Sequence, residues 1–175
     1  MPGPDLADRT GGWGLPAVVG LAGLAVLLLG AAGPAWSVDE AATLVILRRS
    51  GHQFWQAALL DNHGAIAPYY LLMKPWAAVS TDPVWLRLPT IVATAAAAGL
   101  LVWFLQQVSG RRVALLAGTT LLLLPATTWY AANIRPYALA MLAVTAGVVS
   151  WRAGSTDRAI ARRVGRSAAG RRPVR

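Results

Sequence analysis

Long uncharged runs alternate with short charged joints along this chain. Runs free of Asp, Glu, Lys and Arg extend from Gly11 to Val38, Leu88 to Gly110, Val113 to Ile134 and Pro136 to Trp151. The first three exceed the ~20 residues an α-helix needs to cross the hydrocarbon core of a bilayer. The fourth is shorter, but Arg152 can snorkel and let the helix run on. The segment 65–80, AIAPYYLLMKPWAAVS, is apolar yet carries Lys74 and is interrupted by Pro68 and Pro75. Read as a fifth span, it would place the basic C-terminal segment outside. Read as a helix lying in the interface, it leaves four crossings. Arg9, Arg111, Arg112 and the eight arginines from Arg152 onward then share the cytoplasmic side, as the positive-inside bias favours.

The pattern therefore predicts an all-α integral membrane protein with about four transmembrane helices, near 15–36, 85–107, 112–130 and 136–152. A cytoplasmic N-terminus (1–14) precedes a transmembrane module (15–152) whose large outer loop covers 37–84, and a basic cytoplasmic tail (153–175) follows. The tail is rich in Arg, Ala, Gly and Ser without an apolar period, so it is expected to be disordered. The first run is too long, and its n-region too acidic (Asp5, Asp8), for a cleaved signal peptide. It reads as a retained signal-anchor helix bracketed by Trp13 and Trp36.

Amphipathic juxtamembrane helices are expected in the loop. Ser37-x-x-Glu40 and Ser50-x-x-Gln53 fit capping boxes. Asp82-Pro83 fits an N-cap and first helical position for the second span.

Composition agrees with a membrane protein: 56% hydrophobic, 13% charged, mean hydropathy +0.50. With no cysteine there is no disulfide and no thiolate metal site. The net charge of +9 is concentrated in the tail, which reads as an anchor beside anionic membrane lipid rather than a nucleic-acid arm.

Polar groups gather on the outer side: Asp39, Glu40, Asp61, His63, Lys74 and Arg135. Each has a structural alternative. Glu40 can be the capping-box partner of Ser37, and Asp39 can favour the helix dipole. Asp61-Asn62-His63-Gly64 has the chemistry of a turn, and Lys74 can snorkel. Arg135 can be an interfacial arginine, or, with the helix start at Pro136-Tyr137, can suit a phosphate.

The order of Trp36-Ser37-Val38-Asp39-Glu40-Ala41-Ala42-Thr43, Asp61-Asn62-His63-Gly64, Tyr69-Tyr70-Leu71-Leu72-Met73, Leu86-Arg87-Leu88-Pro89-Thr90, Gly110-Arg111-Arg112 and Arg135-Pro136-Tyr137-Ala138-Leu139 resembles the N-terminal part of the GT-C integral-membrane glycosyltransferases. The nearest branch is the polyprenyl-phosphate-sugar-dependent mannosyltransferases and protein O-mannosyltransferases. The resemblance implies a GT-C-like module in the plasma membrane, with its active site facing outside. It implies inverting transfer from a polyprenyl-phosphate sugar lipid to an acceptor. Asp39 would be the base, with Glu40 assisting. Asp61, His63, Arg135 and Tyr137 would contact the donor; a divalent metal is left open. Because such enzymes have many more spans, the chain is expected to be the N-terminal portion of a longer protein. The alternative is a non-catalytic membrane remnant or small interaction subunit.

Overall fold

The computed structural model describes residues 12–33 and 36–169. In order, the helices are α1 (Gly14–Ala31), α2 (Val38–Arg48), α3 (Gly51–Leu60), α4 (Ala67–Val79), α5 (Pro83–Val108), α6 (Arg111–Leu123), α7 (Pro125–Ala131) and α8 (Tyr137–Ala169). A 3-10 turn, Asp61–Gly64, joins α3 to α4. Among the described residues there is no strand.

The central element is α5. Asp82 starts it by accepting hydrogen bonds from the Val84 and Trp85 amides at 2.9 and 3.2 Å, with Pro83 in the first turn. Its 26 residues make a rod of about 39 Å at ~1.5 Å per residue. Most of its length is buried by α1, α6 and α8. Trp103, near its C-terminal end, stacks on Trp13 with ring centres 5.2 Å apart. Trp85, at its start, stacks on Trp76 of α4 at 4.3 Å, and each indole N–H donates to the other residue's carbonyl oxygen. The two pairs are separated along α5 by about 27 Å, close to the ~30 Å hydrocarbon thickness of a bilayer.

Two glycines let helices approach closely. A Cβ on Gly99 would lie 3.1 Å from the Pro16 carbonyl oxygen of α1, and one on Gly118 of α6 would lie 2.3 Å from Cγ2 of Val102.

The expectation of four full spans is corrected. Among the described residues, only α1 and α5 are long and apolar enough to cross a membrane; α6 and α7 make a third only if taken as one span bent by 62°. The cause is Pro125. It lacks the amide that would bond to the carbonyl four residues earlier, and it pushes Leu124 to extended geometry (φ −63°, ψ 125°). The apolar part of α8, Tyr137–Arg152, is shorter than a span. This helix also continues to Ala169, through much of the segment expected to be disordered; 170–175 and most of the expected N-terminal segment lie outside the described residues. The all-α class holds, and two span-length apolar helices make this a membrane-associated protein.

Helices α2 to α4 form a cap whose core is Leu47, Phe54, Ala58, Tyr69, Tyr70 and Met73, closed by Leu86 of α5 and Ile134. Helix α4 is the segment expected to lie in the interface, and it accommodates Pro75 internally. The box at Ser37 forms, whereas Ser50 makes no side-chain cap at α3. Lys74 does not simply snorkel. Its ammonium donates to the carbonyl oxygens of Leu47 (2.8 Å) and Arg49, and sits over the Phe54 ring at 4.6 Å, closing the C-terminus of α2.

Gly118→Ala should lower stability by about 1–3 kcal/mol, the usual cost of overpacking, because the β-branched Val102 cannot swing away. Thermal unfolding in detergent measures it; a melting temperature equal to wild type would mean that α5 and α6 are not in this contact.

Candidate functional site

The cap meets the bundle at the N-terminus of α2, where most of the expected site residues converge. Ser37, extended at φ −78° and ψ 158°, accepts from the Glu40 amide at 3.2 Å, and the Ser37 amide donates to Glu40 Oε2 at 3.1 Å. Ser37 Oγ also donates to Asn133 Oδ1 at 3.0 Å. The Glu40 carboxylate then turns inward. Arg87 grips it through two parallel bonds, Nε to Oε1 and Nη2 to Oε2, both 2.9 Å. The Ile134 amide donates to Oε1 at 3.3 Å. The third arm of Arg87, Nη1, donates to the Ala31 carbonyl at the end of α1, at 2.7 Å. Both side chains are only 1% exposed. One carboxylate and one guanidinium thus join α1, α2, α5 and the segment before α8.

The neighbouring Asp39 points the other way and is 63% exposed; its Oδ1 accepts from Arg135 Nη2 at 3.0 Å. Arg135 Nη1 lies 3.6 Å from Asp61 Oδ2, which also accepts the Tyr70 hydroxyl proton. Arg135 is therefore a bridge between the N-terminus of α2 and the 3-10 turn. Burial opposes its charge, but the bond from Asp39 and the charges around it leave its pKa raised. Burial, and then the bond to Asp61, push the Tyr70 phenol up to about 12. Tyr69 is pushed higher still, first by burial. Among the described residues, the Tyr69 hydroxyl and Arg135 Nε are buried without a hydrogen-bond partner.

Of the polar groups that the sequence gathers on the outer side, Asp39, Arg135 and Asp61 lie in one contact chain, Glu40 turns inward to Arg87, and Lys74 lies at the other end of α2. His63 is exposed on the 3-10 turn, with φ 53°. Tyr137 is also exposed and packs on Tyr130, ring centres 4.7 Å apart. Arg87, Tyr70 and Asn133 were given no role. For Arg87 the signal was present: a lone charge one turn inside an apolar helix demands a buried partner.

No family model, curated protein or solved structure matches the chain. Among the described residues there is no β-sheet catalytic domain and no group of three or more His, Cys, Asp or Glu side chains that could hold a metal ion. Together with the reduced number of spans, these findings overturn the GT-C fold and glycosyltransferase reading, its mannosyl specificity and the enzymatic activity implied by them. The class that fold and site define is a membrane-associated helical module with a clamped cap.

Arg87→Met should cost about 3–5 kcal/mol, because it strands a buried carboxylate. Asp39→Asn should cost less than about 1 kcal/mol, because position 39 is open to water, an amide oxygen there can still accept from Arg135, and Asp61 stays beside the guanidinium. Thermal unfolding of the two variants compares them directly, and equal losses would contradict the clamp. A pH effect follows from Tyr70. Its folded pKa lies above the ordinary value of about 10, so the stability it adds is complete below pH ~10 and is lost as pH rises toward about 12. Tyr70→Phe should flatten the alkaline fall in melting temperature; an unchanged slope would assign that fall to other groups.

Proposed function

We propose that the chain is a non-catalytic membrane module, a small interaction subunit that holds a rigid helical cap against a short helix bundle. The observation that carries this reading is the Glu40 carboxylate. It accepts four N–H donors, from Ser37, Arg87 twice and Ile134, so its charge is spent on holding helices together. Asp39 and Asp61 share Arg135 in the same spirit.

The outward surface supports association within the membrane. A groove of about 460 Å³ runs between α1 and α5, with Gly20, Leu24, Val92, Ala96 and Gly99 on its walls. Small residues of this kind let a neighbouring helix backbone come close. The charge bias supports a multi-pass orientation in the plasma membrane with the cap outside, since Arg111, Arg112 and Arg152 lie away from it along the chain.

The test uses Ala96→Trp, which fills the groove from an exposed position. Extracted from its native membrane with surrounding lipid, the wild-type chain should carry a partner in fixed ratio, and the variant should lose it. A wild-type chain that elutes alone would refute the subunit reading. Reporters after Gly51 and Gly110 should fall on opposite sides of the membrane; the same side for both would refute the orientation.

A further inference from the structure

The corner between α2 and α3 is electrostatically the opposite of the clamp. Arg48 lies in the last turn of α2, Arg49 caps it, and His52 follows in the first turn of α3; all three are exposed. Cations at a helix C-terminus ordinarily answer the carbonyls and the dipole there. Here Lys74 already does so, reaching in from α4 to the Leu47 and Arg49 carbonyls. The guanidinium groups of Arg48 and Arg49 are left over. Neither joins any of the three ion pairs found among the described residues. The acids of the cap sit at the other ends of these helices: Asp39 and Glu40 at the start of α2, and Asp61 after the end of α3, beside Arg135.

Beside this positive corner the cap is apolar on its outward face as well. Helix α3 buries Phe54, Ala57 and Ala58, yet Trp55 is 47% and Leu59 57% exposed. Val45 of α2 is similarly open. A short helix with apolar side chains on both faces is costly in water, whereas the arginines at its start need a polar surrounding. The combination suits the boundary where headgroups meet acyl chains. The reciprocal Trp76–Trp85 lock ties α4, and the cap with it, to the first turn of α5, which holds the cap at that depth.

We infer that the α2–α3 corner is a docking surface for anionic lipid: Arg48 and Arg49 pair with headgroup phosphates while Trp55 and Leu59 enter the acyl boundary. Charge complementarity selects this occupant. Two unpaired arginines call for an anion, and the adjoining Trp and Leu place that anion on a bilayer. The inference rests on the membrane reading alone, so a chain that elutes without a protein partner leaves it standing.

The chain has no native cysteine, so a single Gln56→Cys on α3 can carry a polarity-sensitive fluorophore. The full chain is placed in lipid nanodiscs of phosphatidylcholine alone or with one third phosphatidylglycerol. At roughly fivefold per arginine, anionic lipid should favour the inserted helix by about 25-fold. The fluorophore should shift to the blue, and high salt should reverse the shift. Arg48→Gln with Arg49→Gln should abolish the response; Arg48→Lys with Arg49→Lys should retain it. A label at Thr119→Cys on α6 should not respond, which separates local docking from global change. Equal emission in the two discs, a response that survives the glutamine pair, or one lost in the lysine pair would overturn the inference. So would a stronger shift produced by soluble polyglutamate in phosphatidylcholine discs, which would assign the corner to an acidic protein.

Discussion

The buried contact between Glu40 and Arg87 is the constraint on which the arrangement depends. Two desolvated charges are tolerable only when nearly every lone pair and N–H is engaged. The fold meets that demand by bringing four segments to one point: Ala31 at the end of α1, Ser37 and Glu40 at the start of α2, Arg87 in α5, and Ile134 before α8. Breaks in the helices lie where they serve this meeting. Helix α1 stops at Ala31 with its carbonyl turned to Arg87, and α7 ends at Ala131, whose carbonyl lies 2.8 Å from the Thr90 hydroxyl one turn below the clamp.

A second layer of polar contacts surrounds the first and is softer. Asp39, Arg135, Asp61 and Tyr70 form a chain from α2 to α4 that is partly open to solvent. Asp39 is open to water, and the mostly buried Arg135 keeps one carboxylate when the other is lost. The cap is thus held by an inner bond that tolerates little change and an outer set that tolerates more. Its far end answers to other forces, the Lys74 contact with the α2 carbonyls and the paired indoles at α5.

The sequence displayed the local rules well and the long-range ones poorly. Ser37-x-x-Glu40 and Asp82-Pro83 are short-range signals in which the partner lies two or three residues away, and both form as read. The stretch around Lys74 and Pro75 was separable from the spans because a charge and an imide both oppose membrane crossing. The bend at Pro125 was legible in principle, since a proline within an apolar run breaks the bonding pattern, but run length alone concealed it. The Glu40–Arg87 pairing joins positions 47 residues apart, and no periodicity encodes that. The resemblance misled for a related reason. Acidic, arginine and tyrosine motifs in a given order report where polar groups gather; whether they perform chemistry or hold helices depends on what each oxygen accepts.

The order of Glu40 and Arg87 along the chain has a consequence for biogenesis. As α5 leaves the ribosome, Arg87 arrives one turn inside its start, a charge that apolar surroundings alone would not tolerate well. By then α1 and α2 have already been made, and Glu40 with the Ala31 carbonyl can receive it. The Ile134 amide is synthesised later and can join only afterwards. The order of the chain thus makes the acid available before the base, with the acid waiting for it. The same residues in reversed order would leave the arginine without its counter-charge until the acid had been translated.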